Sequence, residues 1–163
     1  MEVSLLRTIN IFEGLSDPEL EKIFKLARIK LYTKDSMILE EGRLGGALHV
    51  IMKGKVKVTK RLEGKKDKII TTLGPQAIFG EMSLFDNLPY SANIIAVEET
   101  RCMMISKEPF DKMLQQDLPL AYKILTQIIT ILSQRLRNTN EELVAITSWK
   151  DRLKQKAPKS AHG

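Results

Sequence analysis

Fifteen consecutive residues hold the densest set of groups able to do chemistry in this chain: Phe79-Gly80-Glu81-Met82-Ser83-Leu84-Phe85-Asp86-Asn87-Leu88-Pro89-Tyr90-Ser91-Ala92-Asn93. Gly80 lets another backbone come close, and Glu81 through Leu84 suffice for one helical turn. The free amides of such a turn make a site for an anion. A carboxylate beside it cannot serve that anion, but it accepts hydrogen bonds from a sugar hydroxyl. Phosphate and sugar held side by side specify a nucleotide. The plainer alternative makes Glu81 only a turn-capping carboxylate.

Other chemistries find little support. Cys102 is the single cysteine, which excludes an intramolecular disulfide and a cysteine-built zinc or iron–sulfur site. His49 and His162 are the two histidines, which argues against metal-hydrolase chemistry. No Ser/His/Asp set stands out and no P-loop is present, so a non-enzyme without a metal is expected. His49, alone on a strand, reads as a packed residue rather than a haem ligand. Cys102, beside Met103 and Met104, reads as an inert strand residue.

Flanking elements must hold the fifteen residues in place. Ser16-Asp17-Pro18-Glu19 predicts a capping box with proline in the first turn. The helix it opens runs through Leu20, Ile23, Phe24 and Ala27 to about Arg28, after a small helical lead-in carrying Leu5, Leu6, Ile9 and Phe12. From residue 29 to 106 the pattern becomes short β-rich pieces: 29–33, 37–39, 47–52, 55–60, 69–73, 92–97 and 101–105. In 55–60 valines alternate with lysines, which puts the valines inward and the lysines in water. Glu63-Gly64-Lys65-Lys66-Asp67 predicts a charged hairpin tip. The strand spacing predicts a mainly β fold with flanking helices, a double-stranded β-helix (jelly-roll) barrel.

Helices return at the end. One starts at Ser106 and Pro109 and runs through Phe110, Met113 and Leu114. A longer one begins near residues 117–119 and extends to about Trp149. Ile129, Leu136 and Leu143 occupy one core position of a heptad, and Leu125, Leu132, Thr139 and Ile146 the other. The seven-residue period held over three heptads predicts a parallel coiled coil, hence a homodimer through the 125–146 helix. A helix packed on its own barrel is the alternative.

Several motifs agree in order with a known family. Gly42, Gly54 and Gly80, the Leu48-His49-Val50-Ile51 strand, the Phe79-Gly80-Glu81 opening and the Ser91-Ala92 close resemble the cyclic nucleotide-binding domain. This is the sensor domain of Crp/Fnr regulators, cyclic nucleotide-dependent kinases and gated channels, and the resemblance covers about residues 10–147. It implies cAMP or another cyclic nucleotide as ligand. Glu81 matches the acidic residue that receives the ribose 2′-hydroxyl. The amides of Gly80, Met82 and Ser83, with those of Ser91 and Ala92, match the phosphate-binding cassette, and the Ser91 hydroxyl can also touch phosphate or base. Thr139 and Asn140 match the polar pair that caps the base in bacterial dimeric members. Thr139 is also the polar break in the heptad, so a register-fixing role is the other reading.

Two departures matter. The family cassette usually places an arginine where this chain has Tyr90, which offers a neutral hydroxyl in place of a charge-assisted, often bidentate contact. Losing a charged partner of a desolvated phosphate costs roughly 2–5 kcal/mol, one to four orders of magnitude in affinity. Arg43, Lys53 and Arg101 are the candidate substitutes. Two functions therefore stand. One is a cyclic nucleotide sensor that signals through a partner protein as ligand closes the cassette and the C-terminal helix. The other is a degenerate, ligand-independent dimeric interaction module. The second departure is length: 17 residues follow Ile146, where Crp/Fnr regulators continue into a helix-turn-helix domain. The expectation is a free-standing domain over residues 1–147 (barrel about 29–106, helices about 107–149), then a basic flexible tail over 150–163, with no sequence-specific DNA binding.

Charge agrees with that expectation. The positive excess behind the net +6 sits in residues 53–68, with eight positive and two negative charges, and in residues 150–163, with five and one. The rest is mildly acidic, so the hairpin lysines read as a solvated face and the tail as a weak electrostatic contact. No apolar run reaches the roughly 18–20 residues of a membrane span. The N-terminus lacks a signal-peptide pattern, and the expected location is cytoplasmic.

Overall fold

Two antiparallel four-stranded sheets face one another in the computed structural model, which describes residues 6–62 and 67–156. The strands are β1 (Arg28–Tyr32), β2 (Met37–Leu39), β3 (Ala47–Lys53), β4 (Val56–Lys60), β5 (Lys68–Leu73), β6 (Ile78–Phe79), β7 (Asn93–Ala96) and β8 (Thr100–Ser106). One sheet runs β1-β8-β3-β6 and the other β2-β7-β4-β5. Alternate residues of both sheets meet in a shared core of Leu39, Ile51, Val56, Phe79, Ile94 and Cys102. This is the expected jelly-roll arrangement. Only β6 escaped the sequence pattern, because two residues are too few for a periodicity to register.

The alternation expected in β4 holds for Val56 and Lys57 and then breaks. A bulge against β5 falls between Val58 and Thr59, and Thr59 is buried. Bulges turn the strand locally, and the ammonium of the next residue, Lys60, is hydrogen-bonded to protein groups rather than standing free in water.

Among the described residues, the helices that accompany the sheets include α1 (Asp17–Leu26), α2 (Glu81–Asp86), α3 (Lys107–Gln116) and α4 (Leu118–Lys156). A 3-10 turn at Asn10–Phe12 supplies the helical lead-in. The capping box at Ser16 forms as expected, the Ser16 N–H donating to Glu19 Oε2 at 2.7 Å. Both oxygens of Glu19 also accept from Lys123 Nζ at 2.9 Å, and Lys22 Nζ donates to Asp117 at 2.6 Å. Two ion pairs thus tie α1 to the start of α4. Helix α4 extends seven residues beyond Trp149, because residues 150–156 contain neither proline nor glycine. The hairpin tip at 63–66 and the tail from 157 onward lie outside the described residues.

The chain divides into two compact units, Met1–Ile124 and Leu125–Gly163. The first holds both sheets and the candidate site. In the second, Ile129, Leu136 and Leu143 are 62, 62 and 61% exposed, so one position of the heptad stripe faces outward along the helix.

Candidate functional site

Gly80 sits between β6 and α2 with φ +79°, ψ 0°. A Cβ there would stand 2.5 Å from the Ala47 carbonyl oxygen, so the left-handed turn and the close approach both demand glycine. Helix α2 ends at Asn87, also left-handed, where Asp86 Oδ1 accepts from the Leu88 N–H at 2.9 Å. The returning segment is clasped to the β2–β3 loop. Gly42 N–H donates to the Tyr90 carbonyl and Tyr90 N–H to the Arg43 carbonyl, both at 2.9 Å. Asn93, 1% exposed, closes the clasp: its Oδ1 accepts from Glu41 N–H at 2.7 Å and its Nδ2 donates to Asp67 at 3.2 Å.

This framework brings the two halves of the expected cassette together. Met82 Sδ on the first turn of α2 lies 3.9 Å from Ser91 Oγ, with Ala92 next to it at the entrance to β7. Glu81 is buried, and Ser83 is buried with an Oγ that finds no hydrogen-bond partner among the described residues. Thr139 and Asn140 stand on the second unit's helix, both exposed, and the Thr139 hydroxyl donates to the Arg135 carbonyl at 2.9 Å.

The Tyr90 ring is turned toward Gly45. A Cβ added at Gly45 would fall 1.9 Å from Tyr90 Cζ, so the ring occupies the space that a side chain at 45 would fill. It packs beside Tyr32 against the core. It lines a hollow of about 370 Å³ with Lys30, Tyr32, Arg43, His49 and Met104. His49 is buried there, stacked on Phe79 at 4.8 Å, with Nδ1 donating to the Ala47 carbonyl at 3.2 Å. Burial holds its pKa down at about 4, so the ring is neutral. Burial also pushes the Cys102 thiol up to about 12 and leaves it unreactive. Tyr32 is raised by the same cause.

Of the candidate substitute cations, Arg43 lies on the β2–β3 loop with its Nε 3.5 Å from Glu40. Lys53 and Arg101 line a separate hollow with Ile29, Leu31 and Glu99. The residue that sequence reasoning missed is Lys60. Its Nζ donates to the Ser91 carbonyl at 2.5 Å and pairs with Glu41 at 2.8 Å. Lys60 and the N–H of Arg61 together hold the Glu41 carboxyl below the usual range. The β4–β7 register, with Thr59 opposite Asn93, places Lys60 there. A strand pairing across more than thirty residues leaves no local signal.

Comparison with known proteins agrees with this fold. The family model described as "Cyclic nucleotide-binding domain" matches residues 29–117. The chain belongs to the cyclic nucleotide-binding domain family. It is 32% identical over 133 residues to the cyclic AMP receptor protein of Thermus thermophilus, a match covering 82% of this chain and 60% of the relative. It is 35% identical over 111 residues to human cGMP-dependent protein kinase 2, covering 67% of this chain and 15% of the kinase. A cyclic nucleotide-binding domain from Methylobacillus flagellatus superposes with a TM-score of 0.79 at 26% identity, covering 88% of this chain and 80% of that one. The chain spans about 60% of the length of the bacterial regulators it matches. Among the described residues no helix is long and apolar enough to cross a membrane, and no group of three His, Cys, Asp or Glu is placed to hold a metal.

Proposed function

We propose that the chain is a regulatory cyclic nucleotide sensor that acts in the cytoplasm through a partner protein rather than as an enzyme. Glu81 would take the ribose hydroxyl, and the amides of Gly80, Met82, Ser83, Ser91 and Ala92 the cyclic phosphate. Thr139 and Asn140 are assigned to the base, and the 125–146 helix to a homodimer. The module spans residues 1–147, with 150–163 as a basic tail. The observation that carries this reading is the pairing of the α2 first turn with Ser91 beside a buried Glu81. Ligand changes the output only through a difference in affinity between open and closed states.

A second reading has an observation of its own. With Tyr90 packed against Gly45 and the core, the phosphate subsite lacks its usual cation, which favours a ligand-independent dimeric module. Calorimetric titration with cAMP, cGMP and cyclic dinucleotides separates the two. The sensor reading expects binding by the unaltered chain that is lost in Glu81→Ala. Silence from the unaltered chain together with tight binding by Tyr90→Arg would establish the second reading instead.

A further inference from the structure

We infer that Lys60 supplies the positive charge for the cyclic phosphate in place of the arginine absent at position 90; the inference rests on the sensor reading above. Its ammonium already stands against the cassette, 2.5 Å from the Ser91 carbonyl oxygen. Ser91 Oγ lies in turn 3.9 Å from Met82 Sδ. The cation, the serine and the first turn of α2 therefore form one continuous edge. Tyr90 is turned toward Gly45, Arg43 lines the hollow that holds Tyr90 and His49, and Lys53 and Arg101 line another.

Glu41 makes the position of Lys60 more than chance. It pairs with the ammonium at 2.8 Å and is itself fixed by the Arg61 N–H at 2.9 Å. The lysine is thereby held against the Ser91 carbonyl. Its side chain is 46% exposed, and rotation of its four-carbon stem carries the ammonium from a carbonyl to a phosphate oxygen without backbone movement. A lysine is a point charge, where arginine offers a planar fork. It suits the single negative charge of a nucleoside cyclic phosphodiester, and solvent ions reach it more readily. The ligand chemistry is therefore a singly charged phosphodiester held by a salt-sensitive contact.

The experiment is a cAMP titration of the full chain at about 50 and about 500 mM KCl, for wild type, Lys60→Met, Lys60→Gln and Lys60→Arg, with circular dichroism as the folding control. Wild-type binding should weaken with salt. Lys60→Met and Lys60→Gln should each lose roughly tenfold in affinity together with most of the salt dependence, and Lys60→Arg should restore both. If both neutral variants bind as wild type does, with the same salt dependence, Lys60 is excluded and the sensor reading survives. A wild type that binds no cAMP, cGMP or cyclic dinucleotide at either salt concentration overturns both.

Discussion

A buried imidazole with Nδ1 committed to the Ala47 carbonyl and its face against Phe79 has no room for a second proton's solvation shell. Its folded pKa of about 4 lies below the ordinary histidine value of 6.5. The unfolded chain therefore binds the proton more readily, and stability is lost as pH falls from about 6.5 toward 4. Between pH 7 and pH 5 the loss attributable to His49 should be about 2 kcal/mol. Glu19, Glu41, Glu108 and Asp117 are all held below their ordinary values, so their contributions fade mainly at still lower pH. Urea unfolding of wild type and His49→Phe at both pH values is the check; parallel pH dependences in the two proteins would show that His49 is not the group responsible.

At the scale of elements, Glu19 serves two masters. It closes the capping box of α1 and receives Lys123 from the start of α4 on both oxygens. Glu19→Gln keeps an acceptor for the Ser16 N–H but gives up the ion pair, and should cost under about 1 kcal/mol. Glu19→Ala forfeits both and should cost about 1–2 kcal/mol. Thermal unfolding of the pair tests this, and equal losses in the two variants would refute the double role. The cap was legible in the sequence because Ser-x-x-Glu is local, and so were most strands, whose alternation is local too. The two-residue β6 was not. Nor were the placement of Lys60, which depends on a bulge and a distant strand, and the direction of Tyr90, which depends on an empty space at Gly45. The order of the expected cassette residues was legible in the sequence, whereas the neighbours of Ser91 required the folded register.

For the whole molecule, the outward stripe of the second unit and the chain mass of 18.5 kDa set the next test. The dimer reading expects twice that mass for wild type by sedimentation equilibrium, and a shift toward the monomer for Leu132→Glu, which puts a charge at a heptad core position. Monomer mass in both proteins would leave the stripe without its proposed partner. The close fit of Tyr90 against Gly45 has a different kind of consequence, one for descent rather than for binding. In this chain a methyl at position 45 collides with the ring, while in a relative carrying arginine at 90 that space need not be kept clear. A larger residue at 45 would require the Tyr90 ring to swing out of its place, whereas Tyr90→Arg needs no change at 45. The constraint therefore runs one way: tyrosine in this position depends on glycine at 45, and arginine at 90 is compatible with that glycine.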